Sequence, residues 1–395
     1  MIKKHLKLNG YVLISLFFLI IFSPAVGTLL GLKNVISESE NRNLNEMPQF
    51  DFSDQSFADY TKKLEAFLND HFGFRNQLIK LNNNIVISLF HKSPLKKVLI
   101  GKKGWLYSWN ELIAENYYGS HDDRQLSGWI EVYEKRCLWL KERGVDFAFV
   151  IAPNKMTIYP EYLPITINAN NHATRLEQLV KILKENSEVM IVDLRQPLMA
   201  AKPLNQLYYK TDTHWNYYGA FEAYKYLLKE IFPNLSPICD SAVSHLLEKG
   251  SKIDNDTTGD LIHMLKGGRR QYPRFYFLEN PCAKEIDFDN ITLATVGIKP
   301  RKIPIPEWAP SRELFFKGCN HEKKRVIVFR DSFFSAVECF FSEHFELVVY
   351  IRKKYDPTIM EDLIEKVNPD IVIEEILERY LNKAPVEEIK FYEQN

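Results

Sequence analysis

Two runs without a polar residue, Phe147 to Ala152 and Val326 to Phe329, constrain the fold more than any other feature. A strand that faces water on one side alternates apolar and polar residues, whereas a strand covered on both faces does not, and such strands belong to parallel sheets. The segments around them have helical spacing. Leu126 to Gly144 predicts an amphipathic helix with Trp129, Tyr133, Cys137, Leu138 and Leu140 facing inward and Gly144 as its stop. A helix from Ala173 to Asn186 precedes a second buried strand, Val189 to Asp193. Strand Arg325 to Phe329, helix Phe333 to Phe341, strand Leu347 to Tyr350, helix Ile359 to Val367 and strand Asp370 to Ile373 follow near the C-terminus. This alternation predicts a three-layer α/β fold with a mainly parallel central sheet.

The N-terminus carries a different signal. Lys3, Lys4, His5 and Lys7 precede a run from Tyr11 to Leu32 without a charged residue, the basic-then-apolar order of an export signal. About 20 apolar residues span a bilayer, so the expected partition is a cytoplasmic segment 1–9, a signal-anchor 10–32 and an extracytoplasmic remainder, with the lysines inside. Ala25-Val26-Gly27 offers a small-residue cleavage site, and a processed form is the alternative. Phe57, Tyr60, Leu64, Phe67 and Leu68 recur at helical spacing within a linker and helical segment 33–100. The turn Gly101 to Gly104 before Trp105-Leu106-Tyr107 opens the globular domain, expected over 101–395, and the stretch 237–323, with Gly267-Gly268 and several prolines, reads as an irregular insertion.

Lys plus Arg and Asp plus Glu both number 51, so no net field favours nucleic acid as a partner. Cys137, Cys239, Cys282, Cys319 and Cys339 show no metal-ligand spacing, and neither a metal nor a cofactor is expected. In an oxidising compartment Cys282 and Cys319 are a candidate pair.

Sites in α/β sheets lie beyond the carboxyl ends of the strands. That rule selects Ser332, in Arg330-Asp331-Ser332-Phe333 directly after a strand. A serine on a strand-to-helix turn is a plausible nucleophile, with helix capping as the alternative. Asp212-Thr213-His214-Trp215 supplies a base: an imidazole can take the serine proton and a carboxylate can hold its other nitrogen. A turn, a surface ion pair and a metal site are the competing readings of Asp212 and His214. Trp215, Tyr217 and Tyr218 read as core or groove-lining aromatics.

The string Lys210 to Trp215, followed by Gly219-Ala220 and later by Val328 to Phe333, resembles the SGNH-hydrolase-like proteins of alginate O-acetylation, the AlgJ and AlgX type, and their DHHW relatives. Supporting matches are Glu40-Asn41-Arg42, Met47-Pro48, Asp70 to Arg75, Gly104 to Tyr107, Pro153-Asn154-Lys155, Tyr159-Pro160 and Glu374 to Arg379. The resemblance implies an SGNH-hydrolase-like fold with reversed motif order, Asp212, His214 and Ser332 as catalytic residues, and transfer of an acetyl group through Ser332 to a polysaccharide. It also implies a membrane-bound O-acyltransferase as acetyl donor. A carbohydrate acetylesterase and a non-catalytic polysaccharide-binding or assembly component are the alternatives.

The family's serine motif usually begins with Gly where this chain has Arg330, which favours the non-catalytic alternative. Asn154, Trp215 and Arg330 are the candidate oxyanion or substrate contacts, with turn-capping the other reading of Asn154. Lys155 reads equally as a solvated surface charge. Arg75 is expected to anchor its segment by ion pairing, and Asp193 and Arg195 to pair structurally. The stretch from Asp370 to Asn395 leaves no room for the C-terminal carbohydrate-binding module of AlgX, so the chain looks more like AlgJ.

Overall fold

A computed structural model describes residues 2–29, 36–37, 42–49, 56–90, 92–108, 122–164, 167, 173–238, 259–266, 278, 281–286, 291–292, 295–297, 313–319 and 322–394. Most of the expected insertion, including Gly267-Gly268 and Cys239, and the end of the expected anchor at Leu32 lie outside these residues. Two compact units form, one of Met1–Val98 with Asp260–Gln271 and one of Leu99–Gly259 with Tyr272–Asn395.

The larger unit is built on a sheet that has seven strands among the described residues. They are β1 (Asp146–Ala152), β2 (Met190–Asp193), β3 (Lys284–Glu285), β4 (Leu314–Gly318), β5 (Glu322–Phe329), β6 (Phe345–Ile351) and β7 (Ile371–Leu377), in spatial order β2-β1-β7-β5-β6-β4-β3. The first five in that order run parallel. β4 pairs antiparallel with β6 and β3 antiparallel with β4, so the sheet is mixed. The antiparallel edge was hidden because β3 and β4 fall inside the stretch expected to be irregular. A Cys282–Cys319 disulfide joins the residues flanking that edge hairpin, whose strands share the pairs Lys284↔Gly318 and Glu285↔Lys317.

Apolar residues without alternation cover both sheet faces. Ala148, Val150, Val326, Val328, Val348 and Ile373 enter one core, and Phe147, Phe149, Ile327, Phe329, Val349 and Val372 the other. Helices α1 (Asp123–Glu142), α2 (Arg175–Asn186) and α4 (Met360–Val367) cover the second face, and α3 (Tyr217–Ile231) covers the first. Capping boxes start α1 at Asp122 with Gln125 and α2 at Thr174 with Glu177, and Gly144 (φ 73°) follows α1.

Four sequence expectations differ from the structure. Leu138 is 60% exposed and Trp139 takes the inward position, because the apolar arc of α1 passes through both and the larger ring fills the core. β2 is an edge strand bonded only to β1, so Met190 is exposed rather than covered. The expected helix Phe333 to Phe341 is broken into turns at Phe334–Ala336 and Glu338–Phe341. Phe333, Phe334, Val337, Phe340 and Phe341 are all buried there, so packing on every side rather than an amphipathic period sets the winding. Finally, helix Asp260–Lys266 occurs within the expected insertion.

In the smaller unit, helices Ile2–Leu29, Phe57–His71 and Arg75–Phe90 form. Ser56 caps the second by accepting from the Asp59 N–H. Asp70 accepts two bonds from Asn45 and pairs with Arg75 at 3.7 Å, as the segment was expected to be anchored. Among the described residues no helix is long and apolar enough to cross a membrane. Tyr11, Leu13, Phe17, Leu19, Ile20 and Phe22 are nevertheless exposed on the first helix.

Ile373 is fully buried in the central strand β7, so its replacement by Ala should cost about 2–5 kcal/mol through lost transfer energy and a residual cavity. Chemical denaturation checks this: Ile373→Ala should lower the midpoint clearly, whereas Leu138→Ala should change stability by less than about 0.5 kcal/mol.

Candidate active site

β5 ends at Phe329, and its carboxyl edge delivers Arg330-Asp331-Ser332. Three contacts fix this turn. The Arg330 N–H donates to Ile351 O of β6 at 2.9 Å, the Asp331 N–H donates to Glu375 Oε2 of β7 at 3.0 Å, and Asp331 Oδ2 accepts from the Leu377 N–H at 3.1 Å. Asp331 Oδ1 accepts from the Phe333 N–H at 2.8 Å. The capping role suggested for the serine is thereby filled by Asp331, and the Ser332 hydroxyl faces elsewhere, 2.8 Å from His214 Nε2.

His214 sits in a short loop closed by a bridge between Tyr208 and Trp215. Asp212 Oδ1 accepts from the His214 N–H at 2.9 Å and lies 2.6 Å from His214 Nδ1. An ionised carboxylate only accepts, so Nδ1 carries the proton and Nε2 is left as the acceptor for the Ser332 hydroxyl. Asp212 is almost wholly buried, while the His214 side chain is 24% exposed. The carboxylate is thus shielded and the imidazole stays reachable.

After the loop, Asn216 caps α3 by accepting from the Gly219 N–H at 3.2 Å. A Cβ on Gly219 would meet Leu207 O at 2.4 Å, so only glycine lets the helix start this close to the loop. Trp215 is buried, and its indole N–H donates to Phe333 O at 2.9 Å. The tetrad's tryptophan therefore ties the histidine loop to the serine turn and is not a substrate contact.

Lys155, for which a solvated surface charge was one of the open readings, is not at the surface. It is buried, and its ammonium donates to Tyr209 O at 3.1 Å, Lys210 O at 3.1 Å and Asp212 O at 2.6 Å. All three donors of the ammonium thus have carbonyl acceptors, and the three carbonyls belong to the segment holding Asp212. The ring of Tyr107 lies 5.1 Å from the same nitrogen. One signal in the sequence pointed this way: Pro153-Asn154-Lys155 directly follows the end of a buried strand, where a side chain turns inward over the sheet edge.

Residues 98–277 match the family of the SGNH hydrolase-like domain of acetyltransferase AlgX. Over that stretch, somewhat less than half of its length, the chain is similar to AlgJ/AlgX-type domains. A probable alginate O-acetylase AlgJ of Pseudomonas fluorescens is 30% identical over 176 residues, which are 44% of this chain and 42% of that protein. The chain thus spans well under half the length of that relative. Among solved structures, Bacillus cereus PatB1 is 16% identical with a TM-score of 0.48, covering 73% of this chain and 98% of that one. The O-acetyltransferase domain of Pseudomonas putida AlgJ is 16% identical with a TM-score of 0.42, covering 75% and 98%.

The matched region contains Asp212 and His214 but ends before Ser332, which the geometry alone brings to them. Arg330 does not disturb that geometry. Non-glycine residues with positive φ among the described residues are Phe74, Lys103 and Asn368, so the turn needs no glycine at 330. Nor does Arg330 contact a substrate. Its side chain is buried, donates to Ser335 Oγ at 2.8 Å and Asp331 O at 3.1 Å, and pairs with Glu338 at 3.1 Å.

Asn154 lines a cleft with Tyr107, Ser108, Thr213, Phe333 and Arg379. Its own N–H donates to Glu378 Oε2 at 2.8 Å, and Thr157 Oγ1 donates to the same oxygen at 2.6 Å. Asn154 begins helix Lys155–Ile158 without a side-chain cap bond, so the capping alternative fails for its amide. Asp193 and Arg195 form the expected structural pair, with contacts at 2.7–3.1 Å.

Burial pushes the Glu378 carboxyl up to about 7, although the bonds from Thr157 and Asn154 oppose it. A raised folded-state value means that this group favours folding most below its ordinary value of 4.5, and that this contribution is lost as pH rises from there through about 7. Glu378→Gln keeps an oxygen acceptor and removes the titration, so the variant should gain roughly 2–3 kcal/mol on the wild type between pH 4.5 and 8. Denaturant unfolding of both chains at the two pH values measures it. For Lys155→Met, labelling of Ser332 by an active-site phosphonate should slow by about 10–100-fold, since the loop loses its anchor. Lys155→Arg should not restore the rate, because a planar fork cannot serve three converging carbonyls.

Proposed function

We propose that this protein is an O-acetyltransferase that acts on an exported polysaccharide through a covalent acetyl-serine. One observation carries the proposal: the hydrogen-bonded chain Asp212–His214–Ser332, with links of 2.6 and 2.8 Å, in an AlgJ/AlgX-type domain. The hydroxyl of Ser332 attacks the acetyl carbonyl of the donor while His214 Nε2 takes its proton. Asp212, held against Nδ1, stabilises the imidazolium that forms. The imidazolium then protonates the leaving group. In the second half, a sugar hydroxyl gives its proton to His214 and attacks the acetyl-serine; the ester bond to Ser332 breaks, and the serine oxygen recovers the proton.

The acetyl donor in this reading is a membrane-bound O-acyltransferase, and the protein works outside the cytoplasm, held by its N-terminal apolar helix. Lys3, Lys4 and Lys7 before Tyr11 to Leu32, together with the exposed side chains from Tyr11 to Phe22, support that placement. The acceptor in this reading is a polysaccharide. Ser332→Ala should lower acetyl transfer to polymer by at least about a thousandfold with unchanged thermal unfolding. Polymer acetylation at the wild-type level in cells carrying that variant would refute the assignment.

A second reading is supported by the 24% exposure of His214, which leaves water able to replace the sugar as acceptor. With a labelled acetyl donor and a polysaccharide present, transfer predicts label mainly in polymer; label mainly in free acetate would make the protein an acetylesterase.

A further inference from the structure

Among the described residues, the helix Arg75–Phe90 presents an uncovered apolar stripe. Leu78, Leu81, Ile85 and Leu89 are 39%, 57%, 44% and 69% exposed. At 100° per residue these four positions fall within an arc of about 80°. The opposite face is where the helix packs. Asn83 is buried there and donates to Leu265 O of helix Asp260–Lys266 at 2.7 Å.

Charge around the stripe is one-sided. From His71 to Val98 the sequence contains no Asp or Glu, while Arg75, Lys80, Lys92, Lys96 and Lys97 are basic. Within the smaller unit Arg75 is spent on Asp70, at 3.7 Å, but Lys92, Lys96 and Lys97 are exposed just beyond the helix end. A helix with an exposed apolar stripe, uncharged or basic flanks and no acid has the composition of an interfacial helix. Its basic residues complement anionic headgroups.

The helix that bears the stripe also meets the N-terminal helix, whose apolar side chains from Tyr11 to Phe22 are exposed. Gly73, two residues before the helix, donates its N–H to Thr28 Oγ1 at 2.8 Å. A Cβ on Gly73 would lie 2.5 Å from Gly27 Cα, so the end of helix Ile2–Leu29 meets the start of helix Arg75–Phe90 backbone to backbone. The apolar side chains of Tyr11 to Phe22 and the stripe therefore belong to two helices joined at one corner. We infer that helix Arg75–Phe90 lies on an anionic lipid surface, with Leu78, Leu81, Ile85 and Leu89 in the acyl boundary and the lysines after it at the headgroups. A second copy of the chain is the poorer occupant, because it would bring lysines against lysines. The inference does not use the chemistry of Ser332.

An environment-sensitive fluorescent amino acid placed at position 85, or at the exposed off-stripe position Asn84, tests this in the full chain reconstituted into phosphatidylcholine vesicles with or without phosphatidylglycerol. The expected result is a blue shift at position 85 with phosphatidylglycerol, reduced by raised salt, and none at position 84. Equal emission at the two positions would overturn the inference, as would a shift at 85 of the same size in neutral vesicles. A shift at 85 that grows with protein concentration in detergent alone would assign the stripe to self-association instead. Leu81→Gln with Leu89→Gln, both exposed and so not required for folding, should abolish the shift at 85 while the thermal unfolding of the chain stays unchanged.

Discussion

The central strand β7 and the turn after it carry three carboxyl side chains into the interior, and each is satisfied by a different part of the site unit. Glu374 receives Arg136 and Tyr133 of α1 and the N–H of Tyr355. Glu375 receives the N–H of Asp331 in the serine turn, and Glu378 receives the N–H of Asn154 and the hydroxyl of Thr157. A buried acid without such partners would cost several kcal/mol. The consequence is geometric. The strand can lie at the centre of the sheet only if the serine turn and the turn after β1 close onto it, so the residues that flank the cleft are fixed by the same strand that fills the core. For Glu375 and Glu378 burial pushes the carboxyl above its usual range, and for Glu375 the neighbouring Asp331 adds to the effect.

The base half of the site is held by a different device. The loop from Tyr209 to His214 lies beyond the central sheet and takes one bond from a short strand, the Leu106 N–H donating to Lys210 O at 2.8 Å. Most of the loop is gathered by one cation: the Lys155 ammonium binds three of its carbonyls, and Trp215 then bonds to Phe333 O on the serine side. Two loops that share no ladder are thus brought to a 2.8 Å contact between His214 and Ser332. Such positioning matters because proton transfer depends on sub-ångström placement of donor and acceptor.

Legibility in the sequence followed the kind of force involved. β1, β5 and β6 were readable because burial on both faces leaves an unbroken apolar run, and β7 only as far as Ile373, where Glu374 and Glu375 interrupt the run; Asp212, His214 and Ser332 stood out because a Ser-His-Asp arrangement requires those residue types at a strand end and on an adjoining loop. Features that depend on long-range partners were not readable. For Lys155 only its place after a buried strand was legible, and the carbonyls 54 to 57 residues away that its ammonium meets have no local signature. Arg330 looked like an obstacle for the same reason: the buried pocket made by Ser335 and Glu338 that accepts it has no local signature. The edge strands β3 and β4 are short and lie in a stretch without a period, so nothing local announced that they close the sheet antiparallel.

Arg330 also bears on the non-catalytic alternative. A residue that replaced glycine in a strained turn would displace the nucleophile, and its charge would then be a mark of lost activity. Here the backbone at 330 needs no left-handed conformation, and the guanidinium is consumed on the far side of the turn by Ser335, Asp331 O and Glu338. The arginine reinforces the turn from beneath while Ser332 stays within hydrogen-bonding reach of His214. The substitution that argued against a working serine therefore becomes part of the support that keeps its hydroxyl in place.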